Sequence, residues 1–562
     1  MEKFYWLNED SRTFLSRGYL SEGETPESRI RDIADKAEWY LKDMAKTAAE
    51  EKKFYGFADK FYEYMSRGYY SLASPVWANY GKRRGLPVSC FGSFIDDNME
   101  SILYGVAENG MLMKNGGGCS GYFGTVRHRG APITDQGESS GSVHFMQMYD
   151  TLASVVSQGS VRRGFFAAYQ DLEHPDADEF LDIGTEGNPI QGLTTSVVVS
   201  DKFINDMKAG DAEKRRLWAK VLQRRSEIGY PYIMFGDNVN NNKPQVYKDK
   251  DMWIYASQMC SEIALPSSVE ETFTCVLSSI NLLHWDEIIK TDAIEVLTMF
   301  LDTVCEEFIR KTEGQEYLKR ARKFSTNHRA LGLGVLGWHS YLQSNMLGFE
   351  SAEAAKKNHE IAKTLKERSH AASKELAVAL GEPPLLKGYG MRNTTTMAIA
   401  PTKSSSFILG QVSQSIEPEF SNCYVKDLAK IKVTIKNPYL EKLLEEKDKN
   451  TYEVWETIKS ADGSVQHLDF LNTEEKEVFK TFPEINPYTI VDQAAIRQEY
   501  IDQSQSLNLM LDPDMSVKEI NALYLHAWEM GIKNLYYSFS MSAAQALTRK
   551  RVQSMGCAAC EA

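Results

Sequence analysis

Leu86-Pro87-Val88-Ser89-Cys90-Phe91 and, downstream, Asn115-Gly116-Gly117-Gly118-Cys119-Ser120-Gly121-Tyr122 are short apolar runs set among Gly-rich turns. Runs this short, bounded by Gly and Pro, read as strands. Helical patterns recur further along, from about Lys202 to Glu227, Asp286 to Arg322 and Ser351 to Leu380. Another strand-like run, Thr396-Met397-Ala398-Ile399-Ala400, stops at Pro401 and opens the hydroxyl-rich loop Thr402-Lys403-Ser404-Ser405-Ser406. Strands alternating with helices predict an α/β fold.

Working outward, residues 1–72 read as a helical lead-in, with charged and apolar positions at helical spacing and few breakers after Pro26. Two loops of small and polar residues, 134–141 and 184–192, are either solvent turns or ligand loops. Residues about 425 to 500 are charged and weakly periodic, which predicts a solvated helical excursion without chemistry. The end, 548–562, has almost nothing to anchor it and reads as a mobile tail. The catalytic body is thus placed at 73–547.

The 562 residues exceed one ordinary core, so the chain is either about two to four small domains or one large α/β barrel with helical additions. The 64 Lys plus Arg against 77 Asp plus Glu, a net charge of −13, argue against broad affinity for nucleic acid or an anionic membrane. No stretch reaches the roughly 18 to 20 apolar residues that span a bilayer, and the start has no secretory apolar run, so a cytoplasmic chain is expected. Eight cysteines are too sparse for a disulfide framework, and most read as core residues.

Four groups of residues carry chemical possibilities. Cys557 and Cys560, two residues apart in the untethered tail, suit thiol-disulfide exchange; a zinc half-site would need two more ligands, and no matching pair is apparent. In Ser257-Gln258-Met259-Cys260-Ser261-Glu262, a thiol and a carboxylate two positions apart project from one face if the segment is extended or a tight loop, with Cys275 following. Such a pairing serves sulfur chemistry at a carbon and a base on its hydroxyl. The Thr402 to Ser406 hydroxyls at a strand end, with a helix to follow, suit phosphate. Tyr536 and Tyr537, if in a strand, point to opposite faces, one to the core and one to a rim.

Taken in order, these segments resemble the catalytic large (α) subunit of ribonucleotide reductase over nearly the whole chain. The matching series is Ser89-Cys90, the Asn115 to Gly118 turn, the Gln258-x-Cys260-x-Glu262 loop, Cys275, the Pro401 to Ser406 loop, Tyr536-Tyr537 and the Cys557/Cys560 pair. The resemblance implies a ten-stranded α/β barrel of two five-stranded halves, with Cys260 on a central finger loop. It implies that a thiyl radical on Cys260 removes the 3′-hydrogen of a ribonucleoside diphosphate while Glu262 takes the hydroxyl proton. Cys90 and Cys275 then supply two electrons, and the Cys557/Cys560 tail re-reduces their disulfide and is itself served by a thioredoxin- or glutaredoxin-type protein.

By the same resemblance Ser74, Ser89, Thr402, Ser404, Ser405 and Ser406 bind substrate, and Glu417-Pro418 fit the segment beyond. Asp97 and the two small-residue loops match an effector site for a deoxynucleoside triphosphate or ATP, at a homodimer interface. Tyr536 and Tyr537 match the class I pair that relays an electron to a separate radical-generating small (β) subunit with a metal centre; no metal or cofactor is expected in this chain. Two departures stand out. Gln258 replaces the usual Asn and is one methylene longer, and the chain begins near the start of the helical region, without the ATP-cone domain many large subunits carry. Alternatives are an adenosylcobalamin-dependent class II reductase, a nucleotide-binding regulatory paralogue without turnover, and a thiol-disulfide exchange protein resting on the tail alone.

Overall fold

The computed structural model describes residues 2–135, 137–158, 162–428, 431–512 and 514–540. A short strand, β1 (Tyr70–Leu72), precedes five that pair in chain order and all in parallel: β2 (Cys90–Phe94), β3 (Gly118–Tyr122), β4 (Phe165–Asp171), β5 (Thr194–Val199) and β6 (Tyr232–Phe235). Helices such as Met99–Lys114 and Ser142–Val155 run between successive strands, as parallel pairing requires. The Gly-rich turn explains the first of these links. Asn115 ends the helix, Gly116 takes φ +89, and Gly118 begins β3.

The second half repeats the plan. β7 (Phe273–Asn281) pairs in parallel with β8 (Leu331–Leu336), linked through the helix Ala293–Lys311. The segment 396–400 joins β8 by the parallel bridge Leu333 to Met397, and joins the next segment, 503–511, by the bridge Ile399 to Gln505. The last part of that segment, β9 (Leu509–Leu511), is parallel to β11 (Ser538–Ser540), which follows β10 (Asn534–Leu535). The two halves meet at antiparallel seams on both sides, β2 against β7 and β6 against β10. Closure at both seams makes a ten-stranded α/β barrel of two five-stranded halves, as the family resemblance implies.

All nine residues of β7 are buried, because helices cover the barrel outside and a loop fills it inside. The N-terminal helices share this core. Arg29, buried in helix Pro26–Met44, donates from Nε to the Trp77 carbonyl (2.9 Å) and from an Nη to those of Val76 (3.0 Å) and Tyr80 (2.6 Å). It thereby caps the short helix Ser74–Asn79, and β1, which lies within the stretch read as helical, pairs with β7. No helix among the described residues is long and apolar enough to cross a membrane.

Three local readings need correction. The pattern from Lys202 to Glu227 is two helices, Asp201–Ala209 and Ala212–Ile228, parted where Gly210 turns to φ +114. The stretch from Asp286 to Arg322 is likewise interrupted, with helices Trp285–Ile288, Ala293–Lys311 and Lys319–His328. Residues 425 to 500 are more than a solvated excursion. An antiparallel pair, Cys423–Leu428 with Ile431–Lys436, accompanies short helices, and Leu440, Leu444, Trp455, Ile458, Val465 and Phe479 contribute to a separate hydrophobic core. Its apolar residues are spread over helices of about two turns, too short to show a period.

The β2/β7 seam sets a steric limit: Gly92 lies opposite Phe273, and a Cβ there would come within 2.0 Å of the Phe273 ring. Gly92→Ala is therefore expected to lower stability by about 1–3 kcal/mol. Adding Phe273→Leu should recover part of the loss, as read by thermal unfolding of the single and double variants.

Candidate active site

Between β6 and β7 the chain doubles back at 257–264, with an antiparallel bridge from Ser257 to Ala264. Its tip turns at Ser261, which adopts φ +68, so Cys260 and Glu262 lie on a tight loop and not an extended strand. The loop is buried between the two halves and is held by both. From the first half, Ser120 Oγ donates to the Ser257 carbonyl (2.8 Å) and Tyr169 OH to the Gln258 carbonyl (2.8 Å). From the second, Ser504 N donates to the Glu262 carbonyl (2.9 Å), Gln503 Oε1 accepts from Ala264 N (3.1 Å), and Ser506 Oγ donates to the Cys260 carbonyl.

Cys90 opens β2 and Cys275 lies directly opposite it on β7. Directly opposed residues in antiparallel strands have Cα atoms about 4.5–5.5 Å apart, inside the range a disulfide spans, about 4.4–6.8 Å. Both are thiols in this structure. Burial pushes the Cys90 thiol well above its ordinary value, and the Glu262 and Cys275 charges push the same way. Cys275 is also raised by burial; the Gln503 side chain, whose Nε2 lies 3.2 Å from its sulfur, opposes this. The pair is thus held protonated at neutral pH.

Glu262 is fully buried, and burial pushes its carboxyl up to about 7, while the nearby Gln258 amide and the Ser506 hydroxyl draw it down. Ser506 Oγ lies 3.0 Å from Glu262 Oε2. Gln258 Oε1 accepts from Ile263 N (3.3 Å) and Ser257 Oγ (3.3 Å). Gln258 Nε2 and Glu262 Oε1, one a donor and one an acceptor, are buried without hydrogen-bond partners. Buried orphans of this kind are explained by a water, an ion or a ligand, or by a catalytic role.

The hydroxyl-rich loop follows segment 396–400, at the start of the short helix Lys403–Ile408. Thr402 takes φ +52, and its Oγ1 accepts from Ser415 N (2.8 Å) and lies 3.2 Å from Ser406 Oγ. Ser71 Oγ donates to the Ser405 carbonyl (2.9 Å), and Ser405 Oγ reaches the Leu72 carbonyl (3.5 Å). Ser74, bonded by Tyr19 OH (3.2 Å), therefore adjoins a loop more than three hundred positions away, and Ser404, Ser405 and Ser406 are all buried there. Ser89 sits one residue before Cys90, with its Oγ 4.0 Å from the Cys90 sulfur.

Tyr536 and Tyr537 overturn the expectation of opposite faces: both are buried, with ring centroids 4.4 Å apart. They fall in the break between β10 and β11, where strand alternation does not apply. Tyr232 packs on both, at 4.7 and 5.1 Å. Tyr536 N donates to the Leu507 carbonyl (2.9 Å), one residue from the Ser506 that holds the Cys260 carbonyl.

Asp97 lies apart from this cluster, paired with Arg127 Nε (2.8 Å), whose Nη1 reaches the Pro132 carbonyl (3.0 Å). Ser139 Oγ, in the first small-residue loop, lies 3.5 Å from the Arg127 carbonyl, which links that loop to Asp97 through Arg127. The second loop instead contacts Asp150 through Gly192 N (3.0 Å), and no described contact joins it to Asp97. Cys557 and Cys560 lie outside the described residues.

Sequence reasoning missed Gln503, Ser506 and Asn508. Asn508 Oδ1 accepts from Tyr537 N (3.0 Å), and its Nδ2 donates to Glu417, a buried carboxyl also pushed up to about 7 by burial. Their signal was the polar run Asp502-Gln503-Ser504-Gln505-Ser506 immediately before a strand.

The family described as "Ribonucleotide reductase, barrel domain" matches residues 88–213, 206–385 and 383–538. The "Ribonucleoside-diphosphate reductase large subunit" of Invertebrate iridescent virus 3 is 33% identical over 559 residues, covering 85% of this chain and 87% of that one. The "Ribonucleoside-diphosphate reductase large chain" of Schizosaccharomyces pombe is 28% identical over 569 residues, covering 86% and 69%. Among solved structures, the "Actinobacillus ureae class Id ribonucleotide reductase alpha subunit" aligns with a TM-score of 0.90 and 54% identity, covering 97% of this chain and 99% of that one. A closed ten-stranded barrel, a buried Cys-x-Glu loop between its halves and a family match spanning both halves have one common explanation: the chain belongs to the ribonucleotide reductase large-subunit family.

Proposed function

We propose that this protein is the catalytic subunit of a class I ribonucleoside-diphosphate reductase, acting as a homodimer, and that the finger-loop cluster is where the ribose reacts. The observation that carries this reading is the pair of buried orphans, Gln258 Nε2 and Glu262 Oε1, on the loop that carries Cys260, with the Glu262 charge acting on the opposed thiols of Cys90 and Cys275. A ribose hydroxyl accepts from the first and donates to the second. Gln258, in place of Asn, keeps the amide donor on a side chain one methylene longer.

In the proposed reaction a radical-generating small subunit with a metal centre supplies the oxidising equivalent, through Tyr537 and Tyr536, that makes a thiyl radical of Cys260. Cys260 takes the 3′-hydrogen atom while Glu262, ionised, takes the 3′-hydroxyl proton. Water leaves from C2′. Cys90 and Cys275 give up two electrons and two protons and close a disulfide, C2′ gains a hydrogen, and Cys260 returns its hydrogen atom to C3′. The balance is one ribonucleotide plus one dithiol giving one deoxyribonucleotide, one disulfide and one water.

The raised thiol pKa values fit this scheme, because neutral thiols deliver hydrogen together with electrons. A disulfide buried here is beyond the reach of a protein reductant, so Cys557 and Cys560 are proposed to exchange with it and carry the oxidation to a thioredoxin- or glutaredoxin-type partner. Thr402, Ser404, Ser405 and Ser406 are proposed to hold the diphosphate end of the substrate, and Ser74 and Ser89 to contact the substrate elsewhere. Asp97 is proposed to bind a deoxynucleoside triphosphate or ATP effector, which would displace Arg127 from its present pairing.

Turnover of CDP with small subunits carrying different metals tests the class assignment, with adenosylcobalamin alone as the control; turnover in that control overturns it. Cys260→Ser is expected to lose all deoxynucleotide formation while retaining nucleotide binding, read by equilibrium dialysis. Glu262 acts in its ionised form, so kcat should fall as pH is lowered through about 7. Glu262→Gln should remove that acidic limb and lower kcat about 100- to 10,000-fold. Tyr537→Phe should abolish turnover with the small subunit and leave CDP affinity unchanged.

A further inference from the structure

Segment 503–508 is buried along its whole length, and Ser506 within it is fully buried. Its backbone is committed to the sheet, with N donating to the Ile399 carbonyl (2.9 Å). Its hydroxyl lies between the Cys260 carbonyl and Glu262 Oε2, the latter at 3.0 Å. A serine hydroxyl has one proton to give and lone pairs with which to accept. When Glu262 is ionised, both neighbours are acceptors and compete for that proton. When Glu262 is protonated at Oε1, Oε2 becomes a neutral carbonyl oxygen and a weaker acceptor, and the serine proton goes to the Cys260 carbonyl.

We propose that Ser506 is a positioning residue of the reaction, a hydroxyl switch that couples the protonation state of Glu262 to the backbone of Cys260. The inference rests on the reductase reading of this site and deepens it. While Glu262 waits as a base, the Ser506 proton is drawn to the carboxylate and favours its ionised form. Once Glu262 has taken the substrate proton, the serine proton turns to the Cys260 carbonyl and holds the loop tip still while the sulfur must return its hydrogen atom. The proton is conserved throughout, since it moves only within the Glu262, Ser506 and Cys260 chain.

Titratable groups on which the Glu262 charge acts include Cys90 from β2, Cys275 from β7 and Tyr169 from β4. Burial raises all three above their ordinary values, so they stay neutral through the range in which Glu262 ionises. Ser506 is the neighbour from outside the loop that lowers the Glu262 carboxyl.

The test compares the full chain with Ser506→Ala, Ser506→Thr and Ser506→Cys in two measurements. The first is turnover of CDP with the small subunit across pH. The second is an infrared titration of the Glu262 carboxyl, obtained by difference against Glu262→Gln and independent of turnover. Ser506→Ala should raise both midpoints by about one pH unit, the effect of losing one hydrogen bond to a charged group. The kcat should then be about tenfold lower below the wild-type midpoint and recover toward wild type above it, with KM unchanged. Ser506→Thr should restore both midpoints, and Ser506→Cys, which fills the same space with a weaker donor, should fall between. Unshifted infrared midpoints, a loss of kcat equal at every pH, or no rescue by Thr would each overturn the proposal. If Ser506→Ala does not fold, the Thr and Cys variants decide by the same criteria. Absence of wild-type turnover with an intact Ser506-dependent infrared shift would instead count against the reductase reading.

Discussion

A polar loop threaded through a closed barrel must have its backbone groups satisfied where no bulk water reaches them. Each buried group left unpaired costs about 1–3 kcal/mol, so the walls have to supply partners. Here they do so from both sides: Ser120 and Tyr169 take the carbonyls of the entering strand of the loop, and Ser504, Gln503 and Ser506 serve the returning one. The loop is consequently pinned between the halves, and a few polar atoms at its tip, Gln258 Nε2, Ser261 Oγ and Glu262 Oε1, have no partner within the protein.

The seams follow from the same architecture. The two parallel half-barrels here meet antiparallel at both edges, and antiparallel pairing is the arrangement that sets residues directly opposite one another. At the β2/β7 seam this places Cys90 across from Cys275, although 185 positions separate them. The crowding that keeps Gly92 small against Phe273 holds the register two residues from the thiols.

Burial then sets the chemistry of the whole cluster. It favours neutral forms, raising the Cys90 and Cys275 thiols and the Glu262 carboxyl together. Thiols that begin far above neutrality become fully protonated, whereas a carboxyl that begins far below is brought close to the pH at which it must exchange a proton. One dry environment thus prepares hydrogen donors and a base side by side. The tyrosine pair is drawn into the same region because Tyr536 pairs with the strand that also carries Ser506.

Much of this was legible in the linear chain. Short apolar runs between Gly-rich turns announced an α/β fold, and the spaced thiols, carboxylate, hydroxyl loop and tyrosines marked the site, because each is a local pattern of residue types. Local pattern failed where contacts are long-range or elements are short. The small core around Trp455 and Phe479 draws on helices of about two turns, and the tyrosine rings meet because the strand breaks between them. Ser506 and Gln503 looked like ordinary polar residues, since what distinguishes them is the loop they hold from across the barrel. Sequence alone determined which chemical groups the chain owns and how neighbouring ones are spaced; tertiary structure decided which distant groups face one another and which lose water, because pairing across seams and burial are properties of the closed barrel.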